Sequence, residues 1–273
     1  MGASAFACAD MLGKVALNSG ADVLTLMTVR SPIGLVLLYI WLRFSKADKP
    51  LTPRARLISL GLGVLFTGNV YWLYKAIEAV EVPVAVLTYF TYPLLTGLGA
   101  AATGVETLSW RGAAAALAAF VGLALVLGAH PAGIALAGTL YALAGASCRV
   151  ATLLIMRATL GDADARLITW HSLLASTVLF ALLSLGTWHW QPPLTNAGWL
   201  ATVLLGVTTA AGILGVFVAA VRIGPFRSAL VMNLEPLIVA VGSALLLGEV
   251  ITPLQALGGA VMILALVAFQ IRR

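Results

Sequence analysis

Five ionisable side chains stand inside long apolar stretches of this sequence: Asp10, Lys14, Arg30, Arg149 and Glu235. At the centre of a membrane-crossing helix each charge costs about 2.5–3.5 kcal/mol on insertion scales. A purely structural bundle would avoid that cost with Leu or Ala. Asp10 and Lys14 are four residues apart on one helical face. Two readings stay open for them: mutual neutralisation, or a coupling role for Asp10. Lys14 is also close enough to a helix end to snorkel. Arg30 fits a structural pairing as well as a substrate contact. Arg149 has no local partner in the sequence and points to a cavity. Glu235 precedes Pro236, and a proline inside a helix leaves a carbonyl free one turn earlier. A carboxylate beside such a kink suits a gate or a cation site. Pro93 stands inside another apolar run and shares that gating expectation. His171, between Trp170 and Ser172, has a side chain whose ordinary pKa permits proton coupling. The alternative is a buried neutral imidazole that only hydrogen-bonds.

Aromatic and amide side chains complete the candidate substrate site. Trp72, Tyr89, Tyr92, Tyr141 and Trp170 lie away from the ends of their apolar runs. Tyr39, Trp41, Trp110, Trp188, Trp190 and Trp199 fall near run ends, where an interfacial belt accounts for them. Asn69, Asn233 and Ser147 add neutral hydrogen-bonding groups. With Arg149 and His171 these residues would line a mostly apolar cavity with a few polar points. Such a cavity suits a zwitterion with a hydrophobic side chain better than a multiply anionic ligand. Any single aromatic here also has helix packing as an ordinary explanation.

These residues must be carried by membrane helices. The chain has 273 residues, 61% hydrophobic and 10% charged, with a mean hydropathy of +1.04. A soluble domain carries about 25% charge. A spanning helix needs about 20 apolar residues, and ten runs qualify: Gly2–Asn18, Asp22–Phe44, Leu57–Val80, Pro83–Gly104, Gly112–Gly128, Gly133–Leu160, Ala165–Gly186, Gly198–Arg222, Arg227–Gly248 and Pro253–Gln270. The first is the shortest. A β-barrel would show short alternating segments instead. The expected fold class is therefore an all-α integral membrane protein with ten transmembrane helices.

The net charge of +6 would suit nucleic acid in a soluble protein, but here the basic residues sort by connection. Arg43, Lys46, Lys49, Arg54 and Arg56 crowd the second connection. Arg111, Arg157, Arg166, Arg222, Arg227, Arg272 and Arg273 fall at alternate connections and the tail. That puts twelve of the sixteen Lys and Arg on one side, which the positive-inside rule makes cytoplasmic. Both termini are then expected in the cytoplasm. An excess of Arg over Lys, with abundant Ala, points to a GC-rich bacterial genome and an inner membrane. His130 and His189 fall in outer connections and receive no role. Cys8 and Cys148 sit inside spans and read as small apolar residues. The opening residues lack the features of a removable signal peptide and of a myristoylation signal.

The chain also repeats. At a constant offset of 143 residues Pro93 aligns with Pro236 and Glu106 with Glu249. Ala7–Cys8 and Ser147–Cys148 match at an offset of 140. Residues 1–130 and 131–273 thus read as two five-helix repeats. Because five is odd, the second repeat enters the membrane inverted, a pattern many secondary carriers share. Small residues at four-residue steps, Ala114–Ala118–Gly122 and Gly138–Ala142–Ala146, permit close helix approach. Packing within a monomer and contact in a homodimer both remain open.

The stretch "NLEPLIVAVGSALLLGEVITPLQALGGAVMILALV" resembles the Glu-Pro ninth helix, Gly-Glu turn and Gly-rich tenth helix of EamA-type exporters in the drug/metabolite transporter superfamily. "TYPLLTGLGAAATGVETLSWRGAAAALAAFVGLALV" resembles the equivalent in the first half, with Val105-Glu106 where the second half has Gly248-Glu249. Arg30, early in the second span, also fits. The resemblance spans essentially the whole chain. It implies ten helices, two inverted repeats and transport by alternating access. It leaves the Glu-Pro motif open to a structural reading. The aromatic content is similar to that of amino-acid exporters of the YddG type. Export of aromatic or bulky neutral amino acids is therefore the expected activity, with carriers of drugs, nucleosides or sugar phosphates as the alternative.

Other function classes find less support. There is no G-x-x-x-x-G-K-[ST] loop for ATP, and no cofactor or metal is expected. A lipid-modifying enzyme would need clustered catalytic groups, whereas the three histidines are far apart. A channel would need a filter-like loop or a ring of charges. The expected partners are a small-molecule substrate and the lipid bilayer, without nucleic acid.

Overall fold

The structure is a computed structural model that describes residues 2–45, 50–128, 135–188, 190–247 and 252–271. Twelve α-helices and no strands occur among the described residues. They are α1 (Gly2–Asn18), α2 (Val23–Phe44), α3 (Pro53–Ala79), α4 (Val82–Tyr89), α5 (Tyr92–Ala102), α6 (Trp110–Leu127), α7 (Leu136–Thr159), α8 (Ala165–Thr187), α9 (Asn196–Arg222), α10 (Pro225–Met232), α11 (Leu234–Leu247) and α12 (Pro253–Ile271). The fold is that of an all-helical integral membrane protein. Gly248, Glu249, His130, His189, Lys46, Lys49, Arg272 and Arg273 lie outside the described residues.

Ten expected spans become twelve helices because the fourth and the ninth each break in two. The proline ring clashes with the carbonyl four residues earlier and offers no N–H. For Pro93 that carbonyl belongs to Tyr89, and for Pro236 to Met232. These are the last residues of α4 and α10. Seven helical stretches among the described residues are long and apolar enough to cross a bilayer, counting α4 with α5 as one. The helix α1 has only 17 residues, and the apolar part of α12, Pro253–Phe269, is also short.

Helix starts follow from local chemistry. Asp22 accepts the Thr25 N–H at 3.0 Å and caps α2. Ser109 accepts the Gly112 N–H at 3.1 Å and caps α6. Asp164 accepts the Arg166 N–H at 2.8 Å ahead of α8. Each satisfies one of the backbone donors that a helix start leaves unpaired.

Packing divides the chain into two compact units, 1–67 with 160–218 and 68–159 with 219–273. Each unit takes residues from both sequence halves, and α3 and α9 contribute to both. In the first unit α8 lies against α3 closely enough for side chains to bond the neighbour's backbone. Ser172 and Ser176 donate to the Ser59 and Gly63 carbonyls at 2.9 and 3.0 Å. A Cβ on Gly63 would meet the Ser172 carbonyl oxygen at 2.2 Å, so only glycine fits there. The connection before α2 is tied to the one before α9. Asp22 donates its N–H to the Gln191 carbonyl at 3.0 Å, and the Gln191 N–H returns to the Asp22 carboxylate at 3.1 Å.

In the second unit α6 and α12 cross at a pair of glycines. A Cβ on Gly122 would lie 2.6 Å from the Gly258 carbonyl, and one on Gly258 would lie 2.5 Å from the Gly122 carbonyl. Small residues let the two backbones approach and gain dispersion contact where lipid supplies no hydrophobic drive. Ala115, Ala116 and Ala119 of α6 pack with Phe226 and Leu230 of α10 and Leu266 of α12. Ala76 of α3 and Val80 just after it pack with Val84 and Ala85 of α4 and Ala142 of α7. These two clusters hold the broken helices from either side.

Candidate functional site

The interruption between α4 and α5 is the centre of a buried polar and aromatic cluster. Tyr89 closes α4 and Tyr92 opens α5, so the break sets two phenols beside one another, with ring centroids 5.4 Å apart. Phe90 packs on both rings, at 5.4 and 5.6 Å. Asn69 on α3 donates to the Tyr89 hydroxyl at 3.1 Å and to the Gly145 carbonyl of α7 at 2.9 Å. Both amide protons are thereby used, and three helices are joined at one side chain. The Tyr92 hydroxyl reaches the Ala229 carbonyl of α10 at 3.5 Å. All four groups are buried: Asn69, Tyr89, Tyr92 and Gly145.

Arg149 enters this cluster from α7. Its residue is 7% exposed, and its guanidinium carbon is 5.8 Å from the Tyr92 ring centre. A desolvated cation over an aromatic face gains about 2 kcal/mol, which offsets part of its burial cost. The guanidinium is also within electrostatic reach of Tyr89 and of Glu235 on α11. Glu235 stands in the first turn of α11, directly after the second break. Asn233 fills that break and is 2% exposed. Its Oδ1 is buried without a hydrogen-bond partner among the described residues. A buried unsatisfied acceptor costs about 1–3 kcal/mol and calls for an explanation in water or ligand.

One face of α7 extends the cluster. Tyr141, Gly145 and Arg149 follow at four-residue steps, which stacks them on a helix. Tyr141 lies nearly parallel to Trp72 of α3, with centroids 5.5 Å apart and planes at 21°. Asn69, Trp72, Tyr89, Tyr92, Tyr141, Arg149, Asn233, Pro93, Glu235 and Pro236 all belong to the second unit, where direct contacts join Asn69 to Tyr89, Tyr89 to Tyr92, Tyr92 to Arg149 and Trp72 to Tyr141. Ser147 faces away, exposed, and bonds the Leu143 carbonyl of its own helix.

The remaining candidates belong to the first unit. Trp170 and His171 of α8 meet edge to face at 4.9 Å. The His171 Nδ1 is 2.8 Å from the Leu167 carbonyl, so that nitrogen carries the proton. The Trp170 Nε1 is buried without a hydrogen-bond partner among the described residues. Arg30 is half-buried on α2, while Asp10 and Lys14 are exposed on α1. No group of three or more His, Cys, Asp or Glu placed to hold a metal ion occurs among the described residues.

Two matches place the chain. The sequence profile of the EamA-like transporter family fits residues 1–128 and again residues 136–269. The chain belongs to the EamA-like transporter family. Membership of this family makes the protein a membrane transporter of the drug/metabolite type. This EamA-like chain is also similar in fold to a solved crystal structure described only as that of a protein. That likeness has a TM-score of 0.81 at 18% identity and covers 99% of this chain and 96% of the other. No curated protein matches the chain.

Several contributors to the EamA-like cluster had no signal in the sequence. The Gly145 and Ala229 carbonyls are backbone groups, invisible to residue type. Glu106 accepts the Phe226 N–H at 3.1 Å and so caps α10, 120 positions along the chain. The repeat singled out Glu106, but its partner emerges only from the packing of α5 against α10.

Proposed function

We propose that this transporter exports aromatic or bulky neutral amino acids by alternating access. What supports the reading is the buried Arg149 guanidinium 5.8 Å from the Tyr92 ring centre, with the unsatisfied Asn233 acceptor and Glu235 in the same unit. A zwitterion presents one carboxylate and one ammonium. Arg149 supplies a planar two-pronged donor for the carboxylate. The Asn233 Oδ1 and the Glu235 carboxylate accept from the ammonium. Trp72 and Tyr141 offer a stacked aromatic wall for the side chain. A single buried guanidinium is poorly matched to a ligand with several phosphate charges. Prolines break a helix at two places in this unit, as in carriers with discontinuous helices.

The test is uptake of labelled amino acids into proteoliposomes, with and without an imposed pH gradient. Saturable uptake of Phe, Trp or Leu is expected. Arg149→Gln should raise KM about tenfold to hundredfold, the loss of one charge-assisted pair worth about 1.5–3 kcal/mol. Arg149→Lys should recover only part. Loss of the gradient response in Glu235→Gln, His171→Gln or Asp10→Asn would identify the proton carrier. No saturable uptake of any amino acid would overturn the reading in favour of drugs, nucleosides or sugar phosphates.

A further inference from the structure

A cavity opens in the second unit at the start of α10. Its volume is about 670 Å³, and it lies among the start of α6, the start of α10 and the end of α12. Its polar rim carries Arg111, Arg227 and Ser109, and its floor is Phe226, Leu230 and Leu266. The floor residues are 1–5% exposed and belong to one packed cluster. Arg111 is exposed beside Trp110, with the guanidinium 5.5 Å from the indole. Arg227 sits 5.9 Å from the Phe269 ring with 43% of its side chain exposed. Both guanidiniums are therefore held over aromatic faces with donors to spare.

The one acid on this rim among the described residues is already engaged. Glu106 turns to the start of α10, where it accepts the Phe226 N–H at 3.1 Å. Gly224 at φ +93° lets the chain pass beneath it, since a Cβ there would strike the carboxylate at 2.5 Å. Arg227 touches Glu106 only at 4.0 Å. Among the described residues, two arginines against one carboxylate leave the rim with one positive charge. Trp110, 76% exposed, marks the depth of the headgroup layer, where amphipathic rings concentrate.

We infer that this cavity holds an anionic phospholipid, with its phosphodiester between Arg111 and Arg227 and the start of an acyl chain along the more open apolar wall of Ile223, Ala268 and Phe269. One phosphodiester brings one negative charge, which matches the rim. Guanidiniums bind phosphate oxygens in a forked geometry, and basic pockets between membrane helices are a known setting for acidic headgroups. A free phosphate would leave the exposed apolar wall at Ile223 and Ala268 uncovered. A zwitterionic lipid would set its ammonium against the rim's surplus charge.

The test is the thermal unfolding midpoint of the purified full chain in neutral detergent, titrated with phosphatidylglycerol, phosphatidylcholine or inorganic phosphate. Phosphatidylglycerol should raise the midpoint in a saturable way, and the other two should not. In Arg111→Gln/Arg227→Gln the half-saturating lipid concentration should rise about tenfold or more. Arg43→Gln/Arg54→Gln, which removes two basic residues elsewhere, should leave it unchanged. Ala268→Trp, at an exposed position lining the cavity, should block the response with both arginines intact. That variant decides the matter if the double variant fails to fold. Equal response to phosphatidylcholine or to phosphate alone would overturn the site. So would an undiminished response in the arginine or tryptophan variants, or an equal loss in the Arg43/Arg54 control. The readout does not depend on what the carrier transports.

Discussion

Single residues in this chain show two ways of keeping a charge near a membrane. Arg149 is retained inside with its guanidinium 5.8 Å from the Tyr92 ring centre. Asp164 is retained at a helix start by the Arg166 side chain, 2.6 Å away, together with the Arg166 N–H. The side-chain bond from Arg166 is the largest influence that holds the Asp164 carboxyl below the ordinary carboxylate range. A carboxyl lowered by folding stabilises the fold above its unfolded pKa of about 3.9, and loses that effect as pH falls through the lower folded value. Asp164→Ala should cost about 1 kcal/mol, the usual price of a lost N-cap. The deficit in unfolding midpoint should be constant from pH 8 to pH 5 and shrink below about pH 4. A deficit that grows on acidification would contradict the cap. Asn233 belongs to the same scale. The amide was visible in the sequence as a polar residue in an apolar run, but its unsatisfied oxygen depends on the geometry of the break.

At the scale of elements, the prolines were legible and their consequence was larger than a kink. Pro93 and Pro236 each divide a span, because the ring removes a donor at the position where Tyr89 and Met232 would have been bonded. The glycine ladders were legible as well, since small residues at four-residue steps mark close crossings. The ladder through Gly122 could not name its partner, and the structure supplies Gly258 on α12. Gly122→Ala should therefore be costly despite adding one methyl. The new Cβ would stand 2.6 Å from a backbone oxygen and from the Met262 Cγ, with the Met262 nitrogen at 3.0 Å. A side chain could yield, but the carbonyl cannot. Overpacking of this kind costs about 1–3 kcal/mol, to be read as a lowered unfolding midpoint. Gly61→Ala, where the added atom would meet nothing within 4 Å, is the matched control and should be neutral or slightly stabilising. The Asn69–Tyr89–Gly145 bonds were not legible, because three helices meet there without any spacing rule that links them. Nor was the boundary between the compact units. Of its three crossings, one follows the end of α7 at Thr159–Leu160, but the other two fall inside α3 at Thr67–Gly68 and inside α9 at Val218–Ala219, where the helix continues unbroken. Sequence repeats follow covalent order, whereas packing units follow which helices share a face.

At the scale of the whole molecule, the basic residues obey a constraint that opposes the helices themselves. Arg54, Arg111, Arg166 and Arg227 all fall in the first turns of α3, α6, α8 and α10, and none of these turns contains an acidic residue. Cations at a helix start run against the macrodipole, an expense of about 0.3–1 kcal/mol each at exposed sites. Helix stability would have placed them at the other ends. Their positions make sense if they fix orientation, since Lys and Arg near span ends set which side stays in the cytoplasm. Asp164 at α8 and Glu106 at α10 relieve that conflict in two of the four cases. The expected topology has both termini and the connection around residues 45–52 in the cytoplasm, and the connection around residues 129–134 outside. Alkaline phosphatase fused after His130 should be active in bacterial cells, and the same reporter fused after Lys49 should be inactive. A fluorescent protein on the carboxyl end should glow. Neutralising Arg43, Lys46, Lys49, Arg54 and Arg56 together should produce a mixed population, with activity appearing at the Lys49 fusion. Activity after Lys49 in the unaltered chain would invert the topology. It would also leave the first-turn arginines without the compensation that justifies their cost.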